Sequence, residues 1–259
     1  MVAQAAYTKA IAFYERAIAL KPDWPEALSN LGDALRQDGQ IERAVDMQRA
    51  ARILRPSDDN IRLRLANTLV EAGRFPEAEE IYRARLAETP NALAPRINLG
   101  NLFREQGRYD DAIASFEEAL FRAPEGAHEA YGNMAAVLAE RGWFAAAHVL
   151  NRKALAAKSV APKILLNHGI VALTLGHLAE GWPAYEYRFE LADSDEDYVA
   201  KRPSPPPYWR GEHLSGKSIL LWTEQGLGDE IIYSSMIPDI VAQARACVIA
   251  CSERLVPVF

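Results

Sequence analysis

The residues of this 259-residue chain best suited to chemistry stand together in one stretch, Glu224-Gln225-Gly226-Leu227-Gly228-Asp229-Glu230. Three carboxylates and a carboxamide surround two glycines. An apolar run, Ile219 to Trp222, comes just before, and an amphipathic stretch, Ile231 to Val241, follows. That order predicts a strand, a tight loop and a helix, with Asp229 at the turn. Gly226-Leu227-Gly228 begins like a dinucleotide fingerprint, but Ile231 occupies the third glycine position, and the chain has no Walker sequence. Asp229 and Glu230 complement a helix N-terminus and would repel a phosphate placed there. The loop is therefore better suited to acid–base work or hydroxyl binding than to cradling a pyrophosphate. Asp229 is the candidate proton acceptor. A helix N-cap is its competing role.

The elements that must position this loop read as two strands, Lys217 to Thr223 and Ala246 to Cys251, joined by one helix from about Asp229 to Ala244. Strand, crossover helix and strand open a doubly wound parallel sheet, which binds ligands at its carboxyl strand ends. No second chemistry competes. His128, His148, His168, His177 and His213 show no ligand spacing, so no metal site is expected. Cys247 and Cys251 lack both CxxC spacing and a zinc-like partner pair, and read as small core residues.

The rest of the chain repeats. Pro22, Pro56, Pro90 and Pro124 are 34 residues apart, as are Gly39, Gly73 and Gly107, and Ala10, Ala44, Ala78 and Ala112. Gly142 and Ala147 follow at 35, so one residue is inserted near 124–128, and Gly176 returns to 34. Within a unit, Leu28, Leu31 and Leu35 form one apolar helical face. Gly32 allows a second helix to approach closely, Gly39 ends the first helix, and Ala44 and Ala51 permit tight packing. Residues 7–21 match only a second helix. The fifth unit carries Gly181 where alanine is expected, then Trp182 and Tyr185, which read as the core of a capping helix, and Arg188 at a surface or boundary.

A period of 34 with these residue classes resembles the tetratricopeptide repeat, a stack of antiparallel helix pairs. Asn30, Asn98, Asn133 and Asn167 precede the Leu-Gly pair or its equivalent, off the core stripe, while Arg64 breaks the series. A carboxamide donates and accepts at once, which matches a peptide backbone. The series is similar to the inner asparagine ladder of the repeat arm of O-linked N-acetylglucosamine transferases. That resemblance implies a protein or peptide ligand in the concave groove. Local helix-end or water contacts are the competing role for these amides.

Beyond the repeats, Asp193, Asp195, Glu196 and Asp197 form a solvated acidic run, and Pro203-Ser204-Pro205-Pro206-Pro207 reads as a stiff spacer. Trp209-Arg210-Gly211-Glu212, Leu214-Ser215-Gly216-Lys217 and the Glu224–Glu230 loop together resemble the junction to a GT-B glycosyltransferase-like domain in bacterial repeat proteins. Gly228-Asp229, an apolar helix and Pro238 are also similar to the first loop of lipopolysaccharide heptosyltransferases, where the matching aspartate is the proposed base on the acceptor hydroxyl. The resemblance implies that Asp229 is that base, that Glu224, Gln225, Gly226 and Gly228 shape the acceptor loop, and that a full-length parent uses a nucleotide sugar as donor.

The expected fold is mainly α: a repeat solenoid over residues 1–192, an acidic and proline-rich linker over 193–213, and the truncated first βαβ unit of a Rossmann-like, GT-B α/β domain over 214–259. The expected function is the protein-binding arm of a glycosyltransferase. This chain would itself lack the donor site, hold no cofactor and catalyse nothing. The alternative is an interaction scaffold with a vestigial transferase-like segment. A net charge of −6 argues against general nucleic-acid binding. No membrane span or signal pattern is present, and the cytoplasm is the expected location.

Overall fold

The computed structural model describes residues 2–122, 124, 127–156, 161–191, 209, 211–222 and 227–257. It divides into two compact units, residues 1–160 and 161–259.

The first unit is a stack of helices in chain order: α1 (Val2–Leu20), α2 (Pro25–Gln37), α3 (Ile41–Leu54), α4 (Asp59–Glu71), α5 (Phe75–Glu88), α6 (Leu93–Glu105), α7 (Tyr109–Arg122), α8 (Ala127–Glu140) and α9 (Phe144–Leu155). Each helix packs on the next. The first helices of successive pairs, α2, α4, α6 and α8, also touch one another in order, so they share one face of the stack. The expected pairing of 34-residue units is what forms.

Local chemistry sets several of the boundaries. Pro25 sits in the first turn of α2, where its missing N–H costs nothing. Asp58 caps α4 by accepting from the N–H groups of Asn60 and Ile61 at 3.0 and 3.2 Å. Gly39, Gly73, Gly107, Gly142 and Gly176 have φ of 80, 70, 70, 79 and 79°, the left-handed region that glycine enters without penalty. The turn they make is the same each time. The N–H of the following residue, from Gln40, Arg74, Arg108, Trp143 and His177, donates 2.8 Å back to the carbonyls of Leu35, Leu69, Phe103, Leu138 and Ala172. That bond satisfies a carbonyl the helix leaves open.

Between the helices of a pair, Ala44, Ala78, Ala112 and Ala147 are completely buried. A Cβ on Gly100 would lie 2.5 Å from the Phe116 ring, and one on Gly32 would lie 2.8 Å from the Gln48 side chain. The continuous core runs through Leu65, Leu69, Tyr82, Ile97, Leu102, Phe103 and Phe116.

The second unit holds a further helix pair, α10 (Pro162–Thr174) and α11 (Leu178–Tyr185), then a short turn of helix, α12 (Arg188–Leu191). A Cβ on Gly169 would lie 2.5 Å from the Tyr185 backbone nitrogen, and one on Gly181 would lie 2.7 Å from Leu173 Cγ. Glycine replaces alanine at position 181 because these two helices approach backbone to backbone. Trp182 is not core as expected but 50% exposed. It meets the half-buried Tyr185 edge-to-face with ring centroids 6.1 Å apart. The Arg188 guanidinium lies over the Tyr185 and Phe189 rings at 4.4 and 4.0 Å.

The same unit contains strand β1 (Ser218–Trp222), helix α13 (Leu227–Tyr233), a 3-10 turn (Ser234–Met236), helix α14 (Ile237–Gln243) and strand β2 (Ala246–Ala250). β1 and β2 pair in parallel, with Leu220 opposite Val248 and Trp222 opposite Ala250. Among the described residues this is a small two-stranded open sheet. Leu220 and Val248 are both exposed. The single helix expected over 229–244 is broken in two. Pro238 has no N–H to continue the ladder. The hydroxyls of Ser234 and Ser235 donate back to the carbonyls of Ile231 and Ile232 at 2.7 and 3.1 Å, which stabilises the break. No described helix is long and apolar enough to cross a membrane.

Candidate functional site

The shared face of α2, α4, α6 and α8 carries the predicted amides. Asn30, Asn98 and Asn133 are half-buried, on α2, α6 and α8. They do not stand as isolated groups. Asn98 Nδ2 donates to Asn67 Oδ1 of α4 at 3.2 Å, and Arg64 Nη1, also on α4, donates to Asn30 Oδ1 of α2 at 3.1 Å. These bonds run from one first helix to the next, which places the series along the line where those helices meet. Arg64 is therefore part of the row that it interrupts in sequence. Its Nη1 also pairs with Asp33 Oδ2 at 2.6 Å. Asn167 lies half-buried on α10, in the second unit. Next to it, His168 is buried and its Nε2 lies 3.1 Å from Glu180 Oε1.

A second polar row lies three residues further along each first helix: Asp33, Asn67 and Asn101. Residues three apart share a helix face, and the 34-residue period repeats the position, so the spacing holds this signal although the ladder reading passes over it. The second helices serve this row unevenly. Gln48 Nε2 donates to Asp33 Oδ1 at 3.1 Å, and Gln48 and Ser29 bond at 3.2 Å. Tyr82 donates its hydroxyl to Asn67 Oδ1 at 2.6 Å. Burial pushes the Tyr82 phenol well above its ordinary pKa, so it stays a donor at any working pH. In the third pair the matching residue is Phe116, which has no donor. Asn101 Oδ1 is buried there without a partner.

The other candidate site is the loop after β1. Glu224, Gln225 and Gly226 lie outside the described residues. Gly228 is exposed, in the first turn of α13, and Asp229 follows it on the same helix. The side chain that anchors this region is Glu230. It is 8% exposed and accepts from both the N–H and the hydroxyl of Ser252, at 3.1 and 2.6 Å. Ser252 lies just past β2. The start of α13 is thereby tied to the carboxyl end of the sheet. In sequence Glu230 looks like half of an acidic pair at a helix start. Only the fold shows that it turns inward.

A tetratricopeptide repeat family model matches residues 29–92, 63–127 and 97–162, more than half of the chain, and a second repeat model matches residues 2–39. The chain belongs to the tetratricopeptide repeat family. Among curated proteins, this tetratricopeptide chain is similar to Protein FlbA of Caulobacter vibrioides, 35% identical over 154 residues. That match covers 57% of the chain but only 25% of FlbA. Among solved structures it is similar to a tetratricopeptide repeat protein from Parabacteroides merdae, with a TM-score of 0.64 and 16% identity over 74% of this chain and 77% of that one. A thermophilic tetratricopeptide protein of Thermus thermophilus gives 0.56 and 23% over 67% and 94%. At these identities the structures establish the fold, and the tetratricopeptide face of first helices is its principal candidate site.

Proposed function

We propose that the first-helix face of the residue 1–160 unit binds an extended segment of a protein partner, with Asn30, Asn98 and Asn133 presenting carboxamides to its backbone. The observation that carries this reading is the pair of hydrogen bonds linking the amide row across neighbouring helices, Arg64 to Asn30 and Asn98 to Asn67. Packed helices lie about 8–10 Å apart. An extended chain rises about 3.3 Å per residue. One carboxamide therefore serves every third residue or so of a bound strand. Asn167 has the equivalent position on the helix pair of the second unit, and the same role is proposed for it. The test is a pull-down of a peptide library with the wild-type chain and with an Asn98→Ala, Asn133→Ala double variant. A loss of about tenfold in affinity is expected, since each amide contributes about 0.5–1.5 kcal/mol. Unchanged binding by a folded double variant contradicts the reading.

A second, finer reading concerns the strand–helix–strand segment, and one observation favours it. Glu230 and Ser252 fix the first turn of α13 at the carboxyl ends of two parallel strands, where open α/β sheets bind ligands. In this reading the segment opens a GT-B-like domain of a longer, cytoplasmic glycosyltransferase. Asp229 is the base on an acceptor hydroxyl, Glu224, Gln225, Gly226 and Gly228 shape the loop, and a nucleotide sugar is the donor. Residues 193–213 then serve as the linker between arm and domain. In the full-length parent, Asp229→Ala is expected to abolish transfer without moving the melting temperature. Retained turnover ends the role of Asp229 as base; a parent that binds peptide through the arm but turns over no nucleotide sugar is an interaction scaffold.

A further inference from the structure

We infer that Arg64 is the residue that sets the register of the bound segment, as a preformed fork for a side-chain carboxylate of the partner; the inference rests on the peptide-binding reading above. Three observations lead to it. Arg64 stands in the amide row, one period from Asn30 and from Asn98. Its side chain remains 41% exposed, so it is not absorbed into the stack. Its contacts are one-sided: Nη1 makes both the Asp33 and the Asn30 interactions, while Nε and Nη2 donate to nothing among the described residues.

A guanidinium held on one nitrogen by a carboxylate and a carboxamide cannot swing freely. Its remaining edge, Nε with Nη2, is the edge that binds a carboxylate through two parallel hydrogen bonds. Asp33 is itself held by Gln48 Nε2 at 3.1 Å, so the anchor is fixed from behind. An arginine that only filled the gap left by a missing asparagine would spend its outer edge on a neighbour. Farther along the first helices, Arg36 is paired with Glu71, and Arg104 with Glu105 and Glu140. The amides accept any backbone, and Arg64 adds the one charged requirement. A partner segment of extended chain must then place Asp or Glu opposite α4, with uncharged residues facing Asn98 and Asn133.

A displayed library of random dodecapeptides, flanked so that no free C-terminus is presented, tests this on the whole chain. Selection on the wild type is expected to enrich Asp or Glu at a single position. Synthetic peptides from that pool are expected to bind about tenfold tighter than their Gln or Asn isosteres, the scale of a charge-assisted bond. Arg64→Asn is the diagnostic variant, because asparagine is the residue at the same position on α2, α6 and α8. It is expected to bind both members of each pair equally, and Arg64→Lys to recover only part of the discrimination. A wild-type preference that survives in Arg64→Asn overturns the inference, and full discrimination by Arg64→Lys overturns the fork. Asn98→Ala with Asn133→Ala should weaken both members alike. If it weakens neither, the peptide-groove reading fails while the acidic preference still judges Arg64. A selection that recovers no peptide from the wild type overturns both.

Discussion

One position shows how residue chemistry varies inside a fixed scaffold: the residue of the second helix that meets the first-helix glycine in the pairs of Gly32 and Gly100, and its equivalents in the other two pairs. It is Gln48, Tyr82, Phe116 and Asn151 in successive pairs. All four are essentially inaccessible. Gln48 and Tyr82 serve Asp33 and Asn67, whereas Asn101 Oδ1 has no partner and Asn151 has none for either side-chain polar atom. A buried polar atom without a partner costs more than a made bond returns. Phe116→Tyr should therefore stabilise the chain by about 1 kcal/mol by supplying Asn101 with the hydroxyl that Tyr82 gives Asn67. Tyr82→Phe should cost a similar amount, about 1 kcal/mol. Denaturant melts of both variants check this, and opposite signs are the expected result. The ladder amides at 30, 98 and 133 are legible in sequence because they precede a recognisable pair. The row at 33, 67 and 101 recurs at the same period, but which of its members a second helix satisfies is not legible, because a satisfied side chain and an unsatisfied one have the same letter.

At the scale of elements, the helix pairs were legible because their boundaries rest on backbone physics. Five glycines with positive φ close five identical turns. Gly107→Ala forces a Cβ into the left-handed region and should cost about 1–2 kcal/mol. No atom would crowd that Cβ, so the fold should survive. Gly169→Ala acts differently: its Cβ meets the Tyr185 backbone nitrogen at 2.5 Å, so α10 and α11 must separate. We expect loss of that helix pair, seen as hydrogen exchange of α10 and α11 well before α2 to α9. The break between α13 and α14 was not legible. Proline is accepted in the first turn of a helix, so Pro238 is compatible with a new start as well as with a kink. The inward turn of Glu230 was hidden for a related reason, since its partner Ser252 lies 22 residues away, beyond β2.

For the whole molecule, surface ion pairs link helices both within a repeat and between successive repeats, and acid should loosen them. The hydrogen bond from Arg74, with a second from Arg49, holds the Glu77 carboxyl below its usual value. Arg62 does the same for Glu88, which it contacts through two nitrogens at 2.8 and 2.7 Å. Depressed carboxylates contribute their stability above the unfolded pKa and lose it as pH falls through the lower folded value. The melting temperature should thus be flat from neutral pH to about pH 5 and fall below about pH 4. Glu88→Gln should flatten that fall. Because both carboxylates are exposed, the effect is modest and shrinks with salt. The central claim is that the row of carboxamides between neighbouring first helices is where a partner chain lies. The most direct measurement is the side-chain amide region of the nitrogen–proton NMR spectrum during titration with a peptide selected on the wild-type chain. The Nδ2 protons of Asn98 and Asn133 are predicted to shift together and saturably, while those of Asn91, in the turn between α5 and α6, stay still. Saturable binding that moves Asn91 and leaves Asn98 and Asn133 unmoved would contradict the account.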